Sequence, residues 1–488
     1  MSKFSWKTAA IVFSPALLGG CVTSDFLDTY AVNDAGFANV SAEVASTNGK
    51  KTVWVQNQHD ATANAKRVHK LVHKRTINAD TAVQVALLNN KGLQAAYADI
   101  GITAAQVWQE ALPENPRVAI GVLGIGTPGL EAYRAIEGII ANNILRLATR
   151  DRRVDIADTR FRQAQKRAVL QTLQLASRTR NAWINAVGAF ETVFYLNQAK
   201  ASADAASELA EQLGKSGALT KSGQAREHVF YAELTGQRAE AKLAAKSAKE
   251  ELTRLMGLWG QEVDYFVPDR LPKLPNRRKS NSHIERAALQ NRVDIQIAKL
   301  ELEALAKSYG LTDATKYLTD FEIIAGGELE RELDAGEIEK VKTGQVEFEF
   351  VIPIFDTGKP RLRKAELAYM RAANQLAEMA VNARSEARSA YTEYNARYEL
   401  ARHYRNNVLP LRTTIEEEAL LTYNGMITNT FELLADTRAK ANAVLLSVNA
   451  KRNFWLADAN LDGVVVAGAG GSVGGEAMVV ADGGGAGH

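Results

Sequence analysis

The stretch Gly344 to Leu367, GQVEFEFVIPIFDTGKPRLRKAEL, constrains this chain more than any other. Val346, Phe348, Phe350, Ile352 and Ile354 alternate with Glu347, Glu349, Val351 and Pro353. A period of two over that length predicts a strand with one apolar face and one partly charged face. The apolar face reads as lipid-facing. Asp356-Thr357-Gly358-Lys359-Pro360 follows as a turn. A helical pattern then runs for about sixty residues. Few folds join a lipid-facing strand directly to so long a helix.

Composition narrows the setting. The chain has 488 residues, 46% hydrophobic and 7% aromatic, with a net charge of +3. A near-neutral balance names no nucleic-acid partner. No apolar run approaches the ~20 residues a membrane-spanning helix needs. Membrane attachment must therefore come from a lipid or a closed barrel. The N-terminus, Met-Ser-Lys-Phe-Ser-Trp-Lys, leads into a mostly apolar run from Thr8 to Leu18 and then Gly19-Gly20-Cys21. That is a secretory signal pattern. Leu18-Gly19-Gly20-Cys21 is similar to a bacterial lipobox, which would make Cys21 the acylated (palmitate-bearing) first residue of the mature chain. Cys21 is the only cysteine, so it has no internal disulfide to form. Val22 follows it, and under bacterial sorting rules a residue other than Asp there favours the outer membrane.

Residues 22 to about 78 are weakly patterned. His69 and His73 stand four apart, the spacing of a helical metal pair, but no acid or cysteine lies close by in the sequence. Asn78-Ala79-Asp80 offers caps for a helix from Thr81 to Ala111, which Pro113 and Pro116 end. Arg117 to Ile125 alternates as a strand of about nine residues, the length of a tilted barrel strand. Residues 132 to 144 fit a second strand or an early helix. From about Leu145 to Leu213 nothing breaks the helical pattern, and Trp183, Val187, Phe190 and Phe194 mark a heptad seam. About 68 residues at 1.5 Å each make about 100 Å of helix. Glycines 214, 217 and 223 form a tip, and a return helix runs to Gly257.

A Pro-rich linker follows, and then the plan repeats. Ala86 to Ala96, ALLNNKGLQAA, matches Ala288 to Ala298, ALQNRVDIQIA. A strand at Phe321, Ile323, Ala325 and Leu329 comes next, opposed by Glu322, Glu328 and Glu330. The opening stretch follows, and then a helix with Leu376, Ala380, Ala383, Ala387, Ala390 and Tyr394 in heptad spacing. Pro410 should kink it or remove a bond. A second tip stands at Tyr423-Asn424-Gly425-Met426, with a return helix to about Leu461. Four strands cannot close a barrel, and an open edge cannot lie in lipid, so membrane strands require an oligomer. Two chains would give eight strands and three would give twelve. The face bearing Glu322, Glu328, Glu330, Glu347 and Glu349 then suits a wet lumen.

With these pieces in order, the chain resembles the TolC family of outer-membrane efflux channels, in its lipoprotein branch. The resemblance is carried by the lipobox, Leu18 to Cys21, and over residues 79 to 465 by Ala86 to Asn90, Leu112 to Pro116, Asn291 to Ile295, Pro353 to Gly358, and Tyr423 to Gly425 with Phe431 to Leu434. It implies a mainly α fold with a transmembrane β-barrel. Duplicated units, each β-β plus a long helical hairpin, would be joined in a homotrimer with a twelve-stranded barrel and an α-helical tunnel. The expected organisation is a signal peptide over 1–20, an anchor and equatorial segment over 21–78, a first repeat over 79–265, a linker over 266–282, a second repeat over 283–465 and a Gly-rich disordered tail over 466–488. Strands fall at about 117–144 and 318–355, and hairpins at about 145–257 and 360–462.

The family further implies a passive duct for small molecules (drugs, toxic compounds or metal ions), driven by an inner-membrane transporter through a periplasmic adaptor. Carried over by position, the adaptor would meet Gly217, Ala218, Leu219, Gly425, Met426 and Ile427. A bland reading makes Gly217 and Gly425 turn residues only. The periplasmic constriction would fall at Phe431, Glu432 and Leu434, with apolar packing at Phe431 rather than an acidic ring. No phosphate loop, nucleophile elbow or metal cluster appears, so neither an enzyme nor a cofactor beyond the lipid on Cys21 is expected. Type I protein secretion is the nearer alternative, and a lipid-anchored periplasmic coiled-coil scaffold the alternative of a different class.

Overall fold

The structure is a computed structural model and describes residues 24–128, 130, 133–280, 283–334, 337–425 and 430–468. Three short helices, α1 (Ser24–Tyr30), α2 (Phe37–Asn48) and α3 (Gln58–Val72), occupy the region where the sequence is weakly patterned. Then come α4 (Ala79–Asn89), α5 (Lys91–Ala111), β1 (Arg117–Leu123), β2 (Ala135–Asn143), α6 (Ile144–Ala148), α7 (Arg150–Lys215) and α8 (Lys221–Met256). The second half gives α9 (Ile284–Asn291), α10 (Val293–Ala314), β3 (Phe321–Asp334), β4 (Glu337–Phe350), α11 (Lys359–His403), α12 (Leu409–Asn424) and α13 (Thr430–Val466).

Several expectations need correcting. The single helix from Thr81 to Ala111 is two helices, broken at Asn90, whose ψ is 123°. Arg292 breaks the second copy in the same way, at ψ 122°. The shared break has a cause in packing. In the first repeat the side chain of Asn89 donates to the carbonyl of Gly257 at 2.6 Å, and that of Asn90 to Leu255 at 2.9 Å. The end of α8 thereby has its orphan carbonyls satisfied by the broken helix. In the second repeat Arg292 is buried and donates to Asp294 at 2.6 Å and Glu386 at 2.5 Å. The uninterrupted helix expected from Leu145 starts instead as α6, which stops at Thr149 before α7 begins. The ambiguous stretch 132–144 holds strand β2. The return helix runs past Leu461 to Val466.

Pro410 neither breaks nor simply kinks the second long helix. A π-helical turn, Tyr404–Val408, joins α11 to α12, and Pro410 sits in the first turn of α12. The wider turn shifts the hydrogen-bond ladder just ahead of the proline, which has no N–H to donate. The strand of the opening stretch begins earlier than its apolar pattern, at Glu337, and ends at Phe350. Ile352 and Ile354 therefore lie beyond it. Past them Gly358 has φ +76° and donates to the carboxylate of Asp356 at 2.9 Å, and a Cβ there would stand 2.6 Å from the carbonyl of Lys316. Glycine is required at this turn by both conformation and space.

The compact units are not the sequence repeats, because each gathers matching pieces of both. Among the described residues, one unit spans 24–49, 92–169 and 295–379, and the other 50–91, 170–294 and 380–468. The first holds a four-stranded antiparallel sheet in the order β1-β2-β3-β4. The second holds a helical core in which Ala387, Tyr394, Tyr398 and Ala401 of α11 meet Ala450, Phe454, Leu461 and Val464 of α13. Alanines on the seam let the helices approach closely, and Phe454 fills the space between two tyrosines at 5.6–5.7 Å.

Tyr265, just ahead of the linker, is pinned to α8 within this second unit. Its ring is fully buried, its hydroxyl lies 2.9 Å from Oγ1 of Thr253 and it donates to the carbonyl of Lys249 at 3.2 Å. Burial pushes its phenol up to about 12, with the Thr253 hydrogen bond working against that shift. A group whose folded pKa is raised keeps its stabilising effect below the unfolded value and loses it as pH rises through the folded value. Stability should therefore fall by about 2–3 kcal/mol between pH ~10 and ~12 through this group. In urea unfolding across that range, Tyr265→Phe should flatten the fall. An unchanged slope would remove Tyr265 as its source.

Candidate functional site

The strand register sorts residues by face. Paired residues share a face, and each step along a strand crosses to the other. Val118, Ile120 and Val122 of β1 fall with Ile136 and Ile140 of β2, with Phe321, Ile323, Ala325 and Leu329 of β3, and with Val346, Phe348 and Phe350 of β4. This face is apolar and open, with Ile120 at 76% exposure and Val346 at 63%. The other face carries Glu137, Glu322, Glu328, Glu330, Glu332, Glu339, Glu347 and Glu349. Arg117 pairs with Glu322, Arg134 with Glu330 at 3.1 Å, and Gln345 donates to Glu137 at 3.1 Å. Glu322 stands opposite Glu349, Glu332 opposite Glu339, and Glu137 opposite Glu328. Like charges directly opposed are unfavourable, and water lowers the cost, so this face suits a wet space.

The expected lipid-facing residues Val346, Phe348 and Phe350 stand together on the apolar face, while Ile352 and Ile354 are exposed outside the strand. Both α5 and α10 enter, and both α6 and α11 leave, at the same end of the sheet, the end of Arg117, Asn143, Phe321 and Phe350. Leu123, Ala135, Asp334 and Glu337 stand at the other end. The two edges of the sheet in one chain are β1 and β4.

Cys21 lies outside the described residues. The chain that follows it is strapped to α7. Tyr30 donates to Asp158 at 2.7 Å, Lys166 pairs with Glu43 at 2.7 Å, and the rings of Tyr30 and Phe161 meet at 5.4 Å. Burial first, and then the Asp158 carboxylate, push the Tyr30 phenol up.

The two tips differ. Gly217 has φ +76°, and the backbone N–H of Ala218 donates to Leu213 at 2.9 Å in a helix-ending turn. Gly217 and Ala218 are exposed and Leu219 is buried. Thr220 caps α8 through Gly223. Gly425, in contrast, has φ −79° and ψ 1°, a conformation open to any residue, so its backbone does not call for glycine. Met426 and Ile427 lie outside the described residues. Glu432 is exposed on the first turn of α13, and the side chains of Phe431 and Leu434 are among those not described.

Sequence reasoning missed two ion pairs near these hairpins. Arg438 of α13 donates to Glu227 of α8 at 2.5 Å and lies over the Phe230 ring at 4.6 Å. Glu191 of α7 is buried, accepting from Lys451 at 2.7 Å and from the backbone of Leu271 at 2.9 Å. Beside it Lys273, Arg405 and Lys451 line a cavity of about 400 Å³. A buried charge with a distant partner leaves no local pattern in sequence. The His69–His73 pair also acquires a neighbour that the sequence did not show. The rings stack at 4.4 Å, and Glu262 lies 3.6 Å from His69. Among the described residues no group of three or more His, Cys, Asp or Glu could hold a metal.

No family model matches the chain, and no curated protein matches it. Solved structures do match. The chain is similar to CusC, which forms a transmembrane channel, with a TM-score of 0.67 and 15% identity over 80% of this chain and 92% of that one. It is similar to the outer-membrane channel OprN at 0.66 and 17% identity, over 80% and 90%. It is similar to the Campylobacter jejuni outer-membrane channel CmeC at 0.62 and 19% identity, over 80% and 86%. The fold is therefore mainly α and TolC-like.

Proposed function

We propose, from a fold shared with TolC-family channels, that this chain is the outer-membrane channel of a tripartite efflux pump. The observation that carries the reading is the two-faced sheet, apolar on one side and acidic on the other, attached at one end to helices of up to 66 residues. Three chains, four strands each, would close a twelve-stranded barrel with the apolar face toward lipid and the acids toward water. The helices would form a periplasmic tunnel. α7 alone, at 1.5 Å per residue, is about 100 Å long. Nothing in this role requires catalysis.

The finer assignments follow by position. Cys21 carries the lipid anchor in the outer membrane. Gly217, Ala218, Leu219, Gly425, Met426 and Ile427 meet a periplasmic adaptor, which couples the duct to an inner-membrane transporter. Phe431, Glu432 and Leu434 form the narrow periplasmic end. Support for a contact role comes from Gly425, whose glycine its own backbone does not explain. Gly425→Ala should leave the folding midpoint unchanged or slightly raised, while export of the pump's substrate, measured in a strain lacking the native protein, falls. Equal export would leave Gly425 without a contact role. The exported compounds are small molecules such as drugs, toxic compounds or metal ions. The purified full-length chain should insert into planar bilayers and conduct. A chain that never conducts would instead favour the lipid-anchored scaffold.

A further inference from the structure

We infer that the cavity beside the π turn is a binding site for an amphiphilic carboxylate, a carboxyl group carried on a hydrocarbon body, held by Lys273 and Arg405. The inference concerns the helical unit alone and does not draw on the channel reading.

α7, the linker, the π turn with its flanking helix ends, and α13 together wall this cavity of about 400 Å³. That size falls within the range of sites that hold small organic molecules, which are concave and mostly apolar with a few polar groups. Much of the lining is apolar. Leu274, Ala401 and Val448 are buried, and Leu409 and Val444 are half-buried. The π turn shapes one wall. Ala401, Arg405 and Leu409 stand at steps of four that run through it. In an uninterrupted α-helix such a row drifts about 40° round the axis at each step. The wider turn takes up part of that drift, so all three residues face the cavity. π turns inside helices occur often at functional sites.

The charges on the lining do not balance. Three cations, Lys273, Arg405 and Lys451, share it with one acid, Glu191. That acid is already satisfied, because one carboxylate oxygen accepts from Lys451 and the other from the backbone of Leu271. Lys273 and Arg405 are left as an excess of two positive charges. Neither has a carboxylate within ion-pair distance among the described residues. Arg405 is nonetheless held in place. It donates to the side chain of Asn406 at 2.9 Å and to the carbonyl of Leu274, itself on the lining, at 3.4 Å. A guanidinium has five N–H donors, so others remain for a ligand. Both cations are exposed, at the open side of the cavity. A carboxylate lying between them would complete the charge, and its hydrocarbon body would cover Leu274, Leu409, Val444 and Val448. Glu191 and Lys451, paired to each other, would line the cavity without repelling it.

Equilibrium dialysis of the full-length chain in neutral detergent, with the same detergent in both chambers, would read the binding of radiolabelled octanoate. A single saturable site per chain is expected. Octanol keeps the tail without the charge, and acetate keeps the charge without the tail. Each should compete about tenfold or more weakly than octanoate. An ion pair at an exposed position is worth up to about fivefold. Lys273→Gln and Arg405→Gln should therefore each weaken octanoate by about three- to fivefold, and together by about ten- to twentyfold. Lys242→Gln, on the exposed surface of α8, should leave binding unchanged. Val444→Phe should block the site by filling it while both cations remain. If that variant fails to fold, the two glutamine variants and the competition by octanol and acetate carry the test. Unchanged binding by the double variant would overturn the inference, as would octanol or acetate competing as well as octanoate. A wild type with no saturable site would overturn it too, since the cavity would then be filled by another part of the assembly. None of these results touches bilayer conductance, on which the channel reading is judged.

Discussion

Val346→Arg should abolish assembly in the membrane, while Glu347→Arg, one residue along, should be tolerated. Val346 lies on the apolar face, 63% exposed and paired with Ala325, and Glu347 lies on the acidic face, paired with Ile324. An arginine on the lipid side near mid-height costs about 2–4 kcal/mol per chain, and a closed ring of three would carry it three times. The same residue on the wet face meets Glu349 two positions along that face. Heat-modifiable oligomer recovered from outer membranes would read the difference. Equal yields from the two variants would mean the sheet does not present these faces to lipid and water.

The second large effect concerns stability within the helical unit. Lys451→Met should destabilise the fold by about 3–5 kcal/mol, because it leaves the carboxylate of Glu191 buried without its counter-charge. Lys451 keeps some contact with solvent, 21% of its side chain, so the lower end of that range is expected. Adding Glu191→Gln should restore most of the loss, since glutamine is neutral and its oxygen still accepts from Leu271. Urea unfolding followed by helical signal would measure both variants. A double variant no better than the single would place the effect in packing rather than charge.

Much of the architecture is legible because its signals are periodic. Alternation marks β1 and the apolar core of β4, and heptad spacing marks α7 and α11, with Ala383, Ala387 and Tyr394 buried as the pattern requires. Where period gives way to chemistry, the structure departs from expectation. Glu337 to Gln345 is charged and shows no apolar alternation, yet it pairs along its length with β3. The breaks at Asn90 and Arg292 are set by contacts with residues more than ninety positions away, which no local window contains. The π turn answers a proline one residue inside α12, and only the hydrogen-bond ladder reveals it. Glycine locates the tips in both repeats, but the two glycines are unlike, since one needs its left-handed φ and the other does not. Face sorting of charge on β3 and β4 is half visible in the sequence. The acids alternate with apolar residues and so declare a wet face, whereas the gathering of Arg331, Lys340 and Lys342 on the opposite face emerges only from the register.

The most direct test asks whether β1 of one chain closes on β4 of the next. Cys21 is the chain's only cysteine and its sulfur is taken up by the proposed lipid, so with Cys21 kept, one cysteine would replace Ala119 on β1 and another, in turn, Thr343, Gln345 or Glu347 on β4. Oxidation of the membrane-inserted protein should give dimers and then trimers on a denaturing gel, with nothing larger, for at least one position of the scan. Absence of any cross-link, a ladder that stops at two, or one that continues beyond three would contradict closure by three chains.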